Sequence, residues 1–187
     1  MRKLYPVLLV VAAILVTASG ASAQMMKQNP MVGGAAMYPS KTIVANAMNS
    51  ADHTTLVAAV KAAGLVDTLN GNGPFTVFAP TNAAFDQLPA GTVDTLLKPE
   101  NKELLTKVLT YHVVAGKYDS KALAKLISKG KGKAWLTTVS GGKLTATMDG
   151  DKIVLRDEKG GTSTVTTADV YQSNGVIHVV NTVLLPN

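Results

Sequence analysis

The C-terminal half of the chain is a series of short β-forming stretches separated by glycine turns, and this pattern restricts the fold more than any other feature. Trp135 to Val139, Lys143 to Met148, Ile153 to Arg156 and Thr162 to Val170 alternate around Gly141-Gly142, Asp149-Gly150 and Gly160-Gly161. A last pair is expected to fold about Asn174-Gly175, whose preference for positive φ suits a tight hairpin, with Val176 to Val180 as the final strand. The first half has a different period. Asp52 can cap a helix through Leu56, Val57 and Val60, filled by alanines and followed by Gly64. Phe75 to Ala79 reads as a buried strand stopped by Pro80, and Asn82 offers a cap for a short helix ending near Leu88. Thr92 to Leu97 and Pro99 to Thr110 give two further helices, the second with a stripe of Leu104, Leu105, Val108 and Leu109. Tyr111 to Val114 is a short apolar run, and one more helix starts at Asp119 or Ser120 and ends at Gly130. Helices first and a meander later predict an α+β domain rather than a βαβ nucleotide-binding sheet.

The N-terminus reads as an export signal. Arg2 and Lys3 precede an apolar run from Leu4 to Val16, and Ala21-Ser22-Ala23 supplies a small-x-small cleavage site before Gln24. The run is shorter than the roughly 20 residues of a spanning helix. Residues 1–23 are therefore expected to be removed, leaving no integral membrane segment and a protein that is extracellular or periplasmic. Residues 24–37 are rich in Met and Gly and predict a flexible leader; their scattered methionines, without His or Cys, make a weak copper motif. The folded domain is expected over residues 38–187. The absence of cysteine excludes disulfides, thiolate metal sites and cysteine nucleophiles. The formal net charge of +6, reduced by loss of Arg2 and Lys3, permits attraction to anionic polymers without requiring it.

Three ordered motifs carry a family resemblance. Thr76-Val77-Phe78-Ala79-Pro80-Thr81-Asn82-Ala83-Ala84-Phe85 resembles the first signature of the fasciclin (FAS1, beta-Ig-H3) domain. Asn174-Gly175-Val176-Ile177-His178-Val179-Val180, followed by Leu184-Leu185-Pro186, resembles the second, and Tyr111-His112 stands where the family carries a Tyr-His pair. Asn181-Thr182 departs from the Asp-Lys of many members. The leader further resembles small secreted bacterial members with a single domain. The resemblance implies a FAS1 fold, a two-sheet β-sandwich or wedge with several helices packed around it. It implies a non-enzymatic adhesion or recognition role, and, from animal relatives, partner contacts at Tyr111, His112, Asp169 and Val170. Thr81, Asn82 and His178 would be structural signature residues.

Read for themselves, Thr81 and Asn82 can satisfy orphan amides at a helix start, and His112 suits a hydrogen-bonded structural histidine. No compact histidine motif, EF-hand loop, nucleophile elbow or phosphate loop is present, so the sequence predicts no enzyme, metal or cofactor. Lys121, Lys125 and Lys129 recur every four residues opposite Leu123, Leu126 and Ile127, extended by Lys117, Lys131 and Lys133. This stripe is either a solvated helix face or a contact for acidic polysaccharide or anionic headgroups. Low aromatic content and export argue against nucleic acid. The expected protein is a monomeric module binding a cell-surface protein or acidic polysaccharide; the alternative is an accessory subunit docking on an envelope protein of its own cell.

Overall fold

The computed structural model describes residues 29–187, so the export signal lies outside the described residues. Seven helices and seven strands follow in order: α1 (Ile43–Ala47), α2 (Thr54–Ala63), α3 (Val66–Asn70), β1 (Phe75–Pro80), α4 (Asn82–Asp86), α5 (Thr92–Leu96), α6 (Lys102–Tyr111), β2 (Val113–Ala115), α7 (Ser120–Lys129), β3 (Ala134–Thr137), β4 (Lys143–Asp149), β5 (Lys152–Arg156), β6 (Thr162–Gln172) and β7 (Gly175–Val180). The strands are hydrogen-bonded in the order β2-β1-β7-β6-β5-β4-β3. Every neighbouring pair is antiparallel except β1 with β7, which run parallel with Phe75 opposite Gly175 and Pro80 opposite Val180.

The long β6 makes the wedge. Its start pairs with β5 and its remainder with β7, with register shifts between Val165 and Val170 where the strand changes sheet. Bulges of this kind bend a strand and raise its twist. The other end of the strand order is drawn in by a bridge between Val114 and Thr138 and by Val139 N–H donating to Val113 O at 2.8 Å. Alternation along β1 sends Phe78 to one face and Val77 and Ala79 to the other. Phe78, Val165 and Val180 face Leu136, Leu144, Ala146 and Leu155 from the meander, and Leu123 and Ile127 of α7 complete this core. Val77, Ala79, Ile177 and Val179 face a second core built with α1 to α6. Strand β7 is thus buried on both faces.

Three expectations change. Residues 29–37 of the leader are packed on the domain: Val32 and Met37 are buried in the helical core, and Asn29 exchanges two hydrogen bonds with the backbone of Tyr171 at 2.6 and 2.8 Å. Glycine-rich composition suggested flexibility, but Gly33 serves close approach, since a Cβ there would lie 2.5 Å from Ser50 Oγ. Met31 is exposed whereas Met37 is buried, so these two thioethers share no environment. Second, Asn174-Gly175 does not use positive φ. Gly175 is required because a Cβ would sit 2.1 Å from the carbonyl oxygen of Phe75 on the parallel neighbour. Third, Leu104 is exposed, and only Leu105, Val108 and Leu109 of the expected stripe are buried.

Candidate functional site

The last turn of α6 carries Tyr111 and His112 inward. Tyr111 is 0% exposed; its hydroxyl donates to Lys143 O at 2.8 Å and accepts from Glu158 N–H at 3.1 Å. Burial, with the charges of Glu158 and Asp157, pushes its pKa up to about 12. His112 is 2% exposed, and its Nδ1 lies 2.8 Å from Val108 O while Nε2 accepts from Leu184 N–H at 3.0 Å. A carbonyl at one nitrogen and an amide N–H at the other fix the neutral tautomer protonated on Nδ1. Burial lowers the His112 pKa to about 4, against the smaller opposing effects of the Val108 carbonyl and Asp157. The pair ties α6 to the β4–β5 side and to the C-terminal segment.

The second cluster lies where α7 begins. Asp119 caps the helix by accepting from Ala122 N–H at 2.8 Å, and its other oxygen accepts from the Tyr171 hydroxyl at 3.3 Å. Asp169, held at φ 61 in the irregular stretch of β6, accepts from Ser120 N–H at 2.7 Å and Ser120 Oγ at 2.6 Å. His178 donates through Nε2 to Tyr118 O at 2.7 Å, accepts from Asp169 N–H at 3.4 Å, and stacks on Phe78 with centroids 5.7 Å apart. Burial lowers the His178 pKa. Burial and the carboxylates of Asp169 and Asp119 push the Tyr171 hydroxyl up to about 12. The Lys117 ammonium lies 5.1 Å from the centroid of the Tyr171 ring.

These positions correct the expected partner contacts. Tyr111, His112 and Val170 (1% exposed) present no side-chain surface to a partner. Asp169 is partly exposed, but its carboxylate holds Ser120. The two pairs anchor different elements and do not build one site.

The signature polar residues are joints. Thr81 Oγ1 caps α4 by accepting from Ala84 N–H at 3.3 Å. Asn82 serves a different helix from the one expected: its Oδ1 accepts from Thr55 N–H at 3.0 Å and its Nδ2 donates to Ala51 O at 2.9 Å, so it caps α2 in place of Asp52. Asn174 accepts from Ile43 N–H at 3.1 Å and donates to Leu69 O at 2.7 Å and Gly71 O at 3.1 Å, locking the start of β7 to α1 and α3. Sequence reasoning gave Asn174 a turn and a place in the second signature, but no partner. Its reach to residues 43, 69 and 71 leaves no local signal. His53 pairs with Ser50 Oγ at 2.8 Å, and its Nε2, near the Ala79 backbone, is the one buried side-chain polar atom without a hydrogen bond among the described residues.

The sequence pattern of the fasciclin domain matches residues 51–186. This protein belongs to the fasciclin-domain family. Among relatives of this fasciclin-domain chain, protein sll1483 of Synechocystis is 45% identical over 170 residues, covering 91% of this chain and 87% of the relative. Immunogenic protein MPB70 of Mycobacterium bovis is 36% identical, covering 89% and 74%, and cell surface glycolipoprotein MPB83 is 35% identical, covering 88% and 70%. The FAS1 domain pair of the insect cell adhesion molecule Fasciclin I superposes with a TM-score of 0.69 at 20% identity, over 78% of this chain and 51% of that one. That likeness shows the fold.

On this fasciclin scaffold the lysine stripe emerges as expected in position. Lys121, Lys125 and Lys129 are exposed along α7, while Leu123 and Ile127 are buried; Leu126, placed on the apolar face, is also exposed. An apolar crevice of about 60 Å³ lies between the helical layer and the sheet, lined by residues such as Val57, Val60, Leu65, Phe75 and Val113 beside Lys61. Among the described residues no group of three or more His, Asp or Glu side chains is arranged to hold a metal, and no helix is long and apolar enough to cross a membrane.

Proposed function

We propose that this protein is a non-catalytic adhesion or recognition module that works outside the cytoplasmic membrane through its surface. One observation carries the reading. The groups that could do chemistry in the family signatures are committed to the framework: His112 and His178 are buried, neutral and hydrogen-bonded at both ring nitrogens, and Thr81, Asn82 and Asn174 hold helix termini and strand ends. A general base must reach a substrate proton, and these do not. The names of two relatives, a cell surface glycolipoprotein and an immunogenic protein, fit action at the cell exterior, as does the adhesion molecule that shares the fold.

The test is binding of labelled protein to intact cells and isolated envelopes, followed by crosslinking and identification of what is captured. Saturable capture of a surface polymer or a foreign surface protein is the expected result. Capture of one stoichiometric envelope protein of its own cell would identify an accessory subunit instead. Failure to bind either preparation, combined with turnover in a hydrolase substrate panel, would overturn the proposal.

A further inference from the structure

The meander has an outer face that the fold does not cover. Along β3, β4, β5 and β6 the inward residues Ala134, Leu136, Leu144, Ala146, Ile153 and Leu155 are buried, and the intervening residues point to solvent. Cross-strand register sets Trp135 opposite Thr145, Thr145 opposite Arg156, and Arg156 opposite Thr162. The next row runs Thr147, Val154, Thr164. Neighbouring strands are about 4.8 Å apart, so the first row extends about 14 Å from the indole. Trp135, the only tryptophan of the chain, is 68% exposed and lines a shallow open hollow of about 560 Å³ with Lys133, Thr145, Thr147, Arg156 and Thr162.

We propose that this face is a binding site for an uncharged glycan chain, with one pyranose ring stacked on Trp135. Three features select that chemistry. An exposed indole offers a flat, electron-rich face to the electropositive C–H side of a sugar ring. The threonine hydroxyls of Thr145, Thr162 and Thr164 have no hydrogen-bond partner among the described residues, and each can both donate and accept, as sugar hydroxyls do. The charges of the lining cancel: Lys133 and Arg156 have no ion-pair partner among the described residues, while Asp157 accepts from Gly161 and Leu185 N–H and Glu158 from Lys143 N–H. A neutral, hydroxyl-rich ligand complements that balance; a polyanion would be drawn to the lysines of α7 instead. A protein partner would require an apolar centre, whereas here one aromatic ring is set among hydroxyls. The site rests on the recognition reading above and gives it a ligand class.

Tryptophan emission reports on this site directly, because the chain holds no other indole. The purified protein is titrated with a soluble β-glucan, a mannan and dextran, with dextran sulfate as the anionic probe, and is screened on a printed glycan array. Expected is a blue shift of Trp135 emission with at least one neutral glycan, insensitive to high salt. Trp135→Ala weakens that binding about tenfold or more, Trp135→Phe retains part of it, and Lys121→Glu/Lys125→Glu/Lys129→Glu leaves it intact. Circular dichroism confirms that each variant is folded. Salt-sensitive binding to dextran sulfate alone, kept by Trp135→Ala and lost in the lysine variant, overturns this site and leaves the recognition reading standing. So does cell binding that Trp135→Ala retains with no neutral glycan bound on the array. Loss of cell binding by the unaltered protein removes both.

Discussion

Lowering the pH should loosen this domain through His112 before any general acid unfolding. In the native state its Nε2 must remain an acceptor for Leu184 N–H, and burial holds the pKa at about 4 against an ordinary value of 6.5. The folded value lies below the unfolded one, so between them the unfolded chain binds a proton that the native chain refuses. Stability from this group is fully present above about pH 6.5, declines as the pH falls toward about 4, and is lost below that. At about 1.4 kcal/mol per pH unit, the difference amounts to roughly 3 kcal/mol. That is a large part of the 5–15 kcal/mol that stabilises typical domains, to use the roughly general range. His178 and His53 are lowered in the same direction by burial and steepen the same limb.

The assay is urea unfolding between neutral pH and about pH 4, on the natural protein and on His112→Gln. Glutamine can donate to Val108 O and accept from Leu184 N–H without titrating. The variant should lose roughly 3 kcal/mol less than the natural protein over that interval, whatever its stability at neutral pH. Imidazole NMR of the folded natural protein should show His112 still neutral near pH 5, midway between its folded and unfolded values. Parallel stability curves for the two proteins, or a folded imidazolium at that pH, would refute the reasoning.

Other consequences can be measured in the same way. Gly175→Ala should destabilise by about 3 kcal/mol or more, because its Cβ meets Phe75 O at 2.1 Å, whereas Gly150→Ala, with open space but φ 58, should lose only about 1 kcal/mol; thermal unfolding midpoints compare them. Asn82→Ala removes the cap of α2 and should lower stability by about 1–2 kcal/mol, with amide exchange quickening at Thr55; unchanged protection there would contradict its role. Deleting residues 1–37 should cost about 3 kcal/mol relative to deleting residues 1–28, since Val32, Met37 and the Asn29–Tyr171 pair are lost; equal denaturation midpoints would restore the flexible leader. N-terminal sequencing of protein recovered from outside the cytoplasm should begin at Gln24, and an intact Met1 would refute signal cleavage.

The pattern of apolar residues disclosed the meander and five of the seven helices, because each depends on neighbours within a turn or a strand; the short α1 and α3 carried too few residues to show a period. Asp119 is at its cap, Gly64 is at its left-handed C-cap with φ 72, and the strand ends of the meander fall within a few residues of expectation. The errors share a different cause. Asn82 looks like the start of its own helix but serves α2, and Asn174-Gly175 looks like a positive-φ turn but is a contact with α1, α3 and β1. Val32 and Met37 sit in a tail whose composition suggests mobility, and only the groove they fill makes them core. In the sequence Trp135 reads only as the start of a strand, and the row of threonines beside it requires the register of four strands. Local signals were readable; partners distant in sequence were not.

The parallel pair explains why so many polar side chains serve as joints. Strands β1 and β7 pair residues 100 positions apart, from Phe75 with Gly175 to Pro80 with Val180, a closure that carries a substantial entropic penalty before any contact forms. Register is normally enforced by one wet and one dry face, since a one-residue slip exposes the apolar set. Strand β7 is buried on both faces, so that rule has little hold on it. Directional bonds supply what the hydrophobic pattern lacks. Asn174 and Gly175 fix the start of β7 against α1, α3 and Phe75; His178 fixes its middle against Tyr118 and Asp169; and Thr81 N–H reaches Val180 O at 3.3 Å at the far end. His112 then secures Leu184 just beyond. A shift of β7 by two residues would keep each side chain on its own face but break all of these bonds. The fasciclin signatures, on this account, encode the register of one strand pair. The proposed ligand recognition would then fall to the outer surface, where residues such as Trp135 can change without disturbing that register.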